Sequence, residues 1–98
     1  MAIDRGLLAT LTAKPGKGDA LAAFLEQARE LAVREAGTVT WYAFRIDDAT
    51  YGIFDTFETE EARQAHVNGR IPAALEDAGA DLLAAPADIK PIDVLAVK

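Results

Sequence analysis

Residues 38–57 decide the fold: Thr38-Val39-Thr40-Trp41-Tyr42-Ala43-Phe44-Arg45-Ile46-Asp47, then Asp48-Ala49-Thr50, then Tyr51-Gly52-Ile53-Phe54-Asp55-Thr56-Phe57. The first segment is rich in β-branched and aromatic residues, which suit a pleated, half-buried surface. Residues 48–50 turn the chain, and residues 51–57 return as the antiparallel partner. In the first strand Val39, Trp41, Ala43 and Arg45 share one face, and Thr40, Tyr42, Phe44 and Ile46 the other. In its partner Tyr51, Ile53 and Phe57 alternate with Phe54. A sheet with helices on one side and water on the other should be polar on its outer face. Both faces here carry large apolar groups, so one is expected to pack against a second copy.

Upstream, Leu7, Ala9, Leu11 and Ala13 alternate with Leu8, Thr10 and Thr12, the period of a strand. Lys14-Pro15-Gly16-Lys17-Gly18 breaks it. Asp19 is then placed to cap a helix with the apolar stripe Leu21, Phe24, Leu25, Ala28, Leu31 and Ala32, ending near Gly37. Downstream, Thr59 is placed to cap a second helix, with Glu58, Glu60 and Glu61 at its positive end. That helix runs through Ala62, Ala65 and His66, is bent or broken at Gly69 and Pro72, and resumes through Leu75, Ala78, Leu82 and Leu83. Asp88 to Val97 reads as a last strand, with Pro91 arguing for an edge or a bulge. The order β-α-β-β-α-β predicts an α+β, ferredoxin-like domain over residues 1–98, with a four-stranded antiparallel sheet and two helices on one face.

Composition narrows the function. A formal charge of -6 with no basic stripe argues against nucleic acid. The chain has no cysteine and no serine, which excludes Ser/His/Asp and Cys/His hydrolysis, disulfides and thiolate metal sites. One histidine and scattered acids give no metal-ligand spacing, and no glycine-rich phosphate loop is present. No run approaches the roughly 20 apolar residues that span a bilayer. Gly6 to Ala13 alternates as a strand and follows Asp4, unlike a positive leader. The chain is therefore expected to be soluble and cytoplasmic, with no membrane partner.

Several motifs, in order and spacing, resemble the antibiotic biosynthesis monooxygenase (ABM) family. The opening strand ending in Lys14-Pro15-Gly16-Lys17 is similar to that family's first strand and turn. Phe57-Glu58-Thr59-Glu60-Glu61-Ala62-Arg63-Gln64-Ala65-His66 resembles its most recognisable segment, and Lys90-Pro91-Ile92-Asp93-Val94-Leu95-Ala96 its last strand. The resemblance implies a homodimer whose sheets face each other as an αβ-barrel, each subunit holding a small pocket between sheet and helices. It also implies kinship with oxygenases that convert phenols to quinones without metal or flavin, with quinol oxidases and with haem-degrading enzymes. Phe57 stands where the family often has tryptophan, and Trp41 where it often has tyrosine. His66 resembles the axial-ligand position of the haem-degrading branch, but the first strand lacks that branch's asparagine.

His66, the only histidine, lies four residues after Ala62 on its helix's apolar stripe. A neutral imidazole there suits a general base for a phenolic proton; a helix histidine satisfied by a carbonyl or water is the plain alternative. Trp41, Tyr42, Phe44 and Phe57 are candidates to line a site for a flat aromatic ligand, as core and dimer packing also explain them. Tyr42 and Phe44 lie on the face opposite Trp41, so these three are not expected to line one pocket. Asn68, in the helix break, could reach a pocket mouth or remain a solvated loop residue. Arg45 and Asp55 could form a cross-strand pair. The expected function is a monooxygenase or quinol oxidase needing no cofactor and acting on a small aromatic phenol. A dimeric small-molecule-binding module is the alternative, and a haem-binding relative the third.

Overall fold

A computed structural model describes residues 3–98. The chain forms β1 (Arg5–Thr12), α1 (Gly18–Ala32), β2 (Thr38–Arg45), β3 (Thr50–Phe57), α2 (Glu60–Val67), α3 (Arg70–Leu82) and β4 (Asp88–Asp93). The four strands form one sheet in the order β2-β3-β1-β4, and every neighbouring pair is antiparallel. This is the expected ferredoxin-like α+β topology, with β1 and β3 central. Pro91 sits in β4, an edge strand, where its missing N–H leaves no ladder bond unmade on the open side.

Pairing settles which face meets the helices. Leu7, Ala9 and Leu11 of β1 and Tyr51, Ile53 and Phe57 of β3 are buried. With Leu21 and Leu25 of α1 and Leu75 and Leu82 of α3, most of them form the core. Leu8, Phe54 and Tyr42 are in register across β1, β3 and β2 and so point the other way. Trp41 lies opposite Asp55, on the helix-covered face. The register shifts between Thr38 and Thr40, leaving Val39 as a bulge at the start of β2.

Three expectations about element ends need correction. Asp19 does not cap α1: the helix begins at Gly18 with Lys17 at its N-cap and no side-chain cap. It also ends at Ala32, ahead of Gly37. β4 stops at Asp93 rather than Val97. The break in the second helix is complete, with Asn68 closing α2 and Gly69 opening α3. Pro72 falls in the first turn of α3, where its missing N–H would have had no intrahelical partner.

Candidate active site

His66 is held by three local devices. Thr59 caps α2, its Oγ1 accepting from the Ala62 N–H at 3.0 Å. Arg63 donates to the carbonyls of Gly6 at 3.3 Å and Ile92 at 3.4 Å, tying α2 to β1 and β4. Gly37 permits close approach, since a Cβ there would lie 2.7 Å from the Ala62 Cβ.

So placed, His66 is only 6% exposed and both ring nitrogens meet carboxylates. Nδ1 lies 2.5 Å from Glu35 Oε1, and Nε2 lies 3.0 Å from Asp55 Oδ2. Glu35 follows α1, and the Thr38 hydroxyl donates to the same Oε1 at 2.7 Å. Phe57 tilts against the imidazole with ring centroids 5.4 Å apart. Burial pushes the His66 pKa down, but the hydrogen bonds and charges of Asp55 and Glu35 outweigh it and hold the ring above its ordinary 6.5. Asp55 is 1% exposed, and its Oδ1 is buried with no hydrogen-bond partner.

Asp55 and His66 line a small recess of about 60 Å³ whose other walls include Leu7, Ala9, Ile53, Ile71 and Leu75. Pro72, Leu75 and Ile89 also line a cleft of about 590 Å³ between α3 and residues 83–87. The recess and the cleft thus lie side by side and share these three residues as walls.

The expected site residues separate. His66 is in the recess wall. Phe57 packs behind it, fully buried, and lines none of the three cavities described. Asn68 is exposed at the end of α2, beside Val67 of the recess wall. Trp41, Tyr42 and Phe44 line a separate groove of about 550 Å³ between α1 and β2, with Arg29, Arg45 and Tyr51. The expectation that these three cannot share a pocket is corrected. β2 is an edge strand, so a groove passing its edge meets side chains from both faces. The Arg45–Asp55 pair does not form: the register sets Arg45 opposite Tyr51, whose ring its guanidinium overlies at 6.0 Å. Trp41 Nε1 is a second buried polar atom without a partner.

No family model matches the sequence, and no curated protein matches it. Solved structures do. A Nitrosomonas europaea protein of unknown function, NE2512, is 45% identical over 97% of this chain and 92% of its own, with a TM-score of 0.94. A second N. europaea protein, assigned by name to the antibiotic biosynthesis monooxygenases, superposes with a TM-score of 0.82 at 18% identity, over 97% of this chain and 93% of its own. A Caulobacter crescentus protein assigned by name to the same family gives 0.73 at 21% identity, over 95% and 91%. The chain belongs to one family with NE2512, and it shares its fold with the ABM-named proteins. Within this ABM-fold protein, two of the three residues of the Glu35–His66–Asp55 chain lie outside the expected site. Asp55 had a signal, a charged residue alternating with Ile53 and Phe57 on the core face of a strand. Glu35 had none, since it stands 31 residues before His66 at a helix end where acids are ordinarily solvated.

Proposed function

We propose that this protein oxidises a small hydroxyaromatic compound with dioxygen, as a monooxygenase or quinol oxidase that needs no cofactor. The observation that carries the reading is the recess walled by Asp55 and His66, with Glu35 behind the imidazole and an apolar cleft alongside. In this reading an aromatic body occupies the cleft and its hydroxyl enters the adjoining recess. Loss of the hydroxyl proton there leaves an electron-rich anion, which passes one electron to dioxygen. The aryloxyl radical and superoxide then combine at a ring C–H carbon, and the protonated peroxide loses water together with that carbon's hydrogen as the carbon becomes a carbonyl. The protein contributes proton removal, orientation and exclusion of water. The ABM names of its structural neighbours support the reaction class.

The working form in this reading is a homodimer, joined through the outer sheet face that carries Leu8, Tyr42 and Phe44. Haem ligation is disfavoured by the geometry, because His66 has both nitrogens engaged by carboxylates. The test is oxygen uptake by the purified protein against hydroquinones, anthrones and flavonols. Uptake should exceed autoxidation and fall about 10²–10⁴-fold in His66→Ala, the usual loss on removing acid–base machinery. Binding of these compounds with no uptake across the panel would make the protein a small-molecule-binding module instead.

A further inference from the structure

We infer that Asp55 Oδ1, rather than the His66 ring, takes the proton of a hydroxyaromatic ligand seated in the recess, with His66 and Glu35 as positioning residues behind it. The inference rests on the reading above and names the proton acceptor within it.

A neutral imidazole carries one N–H. Facing two carboxylates, it would satisfy one and set a lone pair against the other. The protonated ring satisfies both, at 2.5 Å to Glu35 and 3.0 Å to Asp55. The raised pKa of His66 agrees with that state. An imidazolium has no lone pair left for a substrate proton.

Asp55 has one. Its Oδ2 is committed to His66, while its Oδ1 is buried, unpartnered and part of a residue lining the recess. A buried acceptor without a donor is unfavourable, and the hydroxyl of a ligand is a donor of the right kind. Charge adds a second argument. Two carboxylates and one imidazolium sum to -1, and Asp55 presents that charge to a recess otherwise walled by residues such as Leu7, Ile53 and Leu75. The neighbouring cation on α2, Arg63, is taken up by Glu60 and by two backbone carbonyls. Apolar walls offer a ligand hydroxyl no competing acceptor, which leaves Asp55 Oδ1 as its partner.

In that step the ligand's O–H bond breaks, its electron pair stays on oxygen, and the proton bonds to Asp55 Oδ1. The assembly goes from -1 to neutral, the ligand from neutral to phenolate, and the total charge is unchanged. The chemical class follows: a phenol or enol with an acidic hydroxyl and a flat apolar body that occupies the cleft.

4-Nitrophenol, whose phenolate is coloured, tests this without oxygen. Titrated anaerobically about one pH unit below its own pKa, where free probe is about nine-tenths neutral, it should bind as phenolate, its ratio of ionised to neutral form at least about tenfold higher than in solution. Because the chain has a single histidine, its ring 15N signals report His66 alone. They should show a doubly protonated ring before and after binding. Asp55→Asn should bind the probe in its neutral form. In the wild-type protein the difference infrared spectrum should gain a protonated-carboxyl band on binding, a readout that survives if the variant does not fold. A ring neutral before binding and protonated after it would make His66 the base and overturn the assignment. So would a probe that fails to bind or stays neutral, equal ionisation in Asp55→Asn, or no carboxyl band. The two readings fail separately. Ionisation without oxygen uptake by any phenol removes the oxidase and leaves Asp55 as acceptor. Uptake undiminished in Asp55→Asn does the reverse.

Discussion

At the residue scale the protein concentrates its buried charge on one imidazole, and that fixes a pH dependence. The folded-state pKa of His66 lies above its ordinary 6.5, because Asp55 and Glu35 outweigh the burial that pushes it down. Its contribution to stability is therefore complete below the unfolded value and is lost as pH rises through the folded one. The midpoint of thermal unfolding should fall as pH rises from about 6 into the alkaline range, with no second histidine to confuse the trend. A midpoint that stays level or rises over that interval would show that the ring is not stabilised as a cation. Phe57, fully buried against the imidazole, should cost about 3–5 kcal/mol when cut to alanine, measured by urea denaturation. His66 was legible in the sequence because a lone imidazole stood on an apolar helical stripe. Its partners were not, because strand register and a 31-residue separation bring them there, and neither leaves a local pattern.

At the element scale α2 is the part that sets the site, and its position depends on one missing methyl group. Gly37→Ala would place a Cβ 2.7 Å from that of Ala62, which a rigid helix and strand entry cannot absorb without moving apart. The variant should be less stable, and its His66 pKa should drop toward the ordinary value as the Glu35 contact lengthens. The ring 15N signals measure that shift; an unchanged His66 titration would show that Glu35 follows the helix and that the close packing is incidental. Thr59→Ala should cost about 1 kcal/mol through loss of the cap on Ala62. Most elements could be read from pattern alone, since β1 and β3 alternate cleanly and α1 repeats every three to four residues. Ends were harder. Lys17 opens α1 without a side-chain cap, so the nearby Asp19 drew the boundary inward. Asn68 and Gly69 separate two helices that share one apolar repeat, and a repeat cannot show whether the axis bends or breaks.

At the scale of the whole molecule the sheet divides the work between its two faces. The covered face holds the core and the recess, whose lining residues come from β1, β3, β4, α2 and α3 of a single chain. The outer face leaves Leu8 36% exposed, Tyr42 60% and Phe44 38%, with Tyr42 stacked on Phe54 at 6.5 Å. These side chains adjoin one another by register: Leu8, Phe54 and Tyr42 form one row, and Phe44 lies over Gly52 in the next. A contiguous apolar patch on a chain of 98 residues is costly in water, and a second copy can cover it with the same patch. Sedimentation should therefore give a dimer whose unfolding temperature rises with protein concentration. Tyr42→Lys combined with Leu8→Lys would oppose like charges across the two-fold axis and should give a monomer. Because the recess lies on the other side of the sheet, that monomer should still ionise bound 4-nitrophenol, at reduced thermal stability. A wild-type protein that sediments as a monomer at all concentrations would reject the outer face as an interface. A monomeric variant that folds but no longer takes up the phenol would mean that the partner completes the site, which the single-chain lining of the recess argues against.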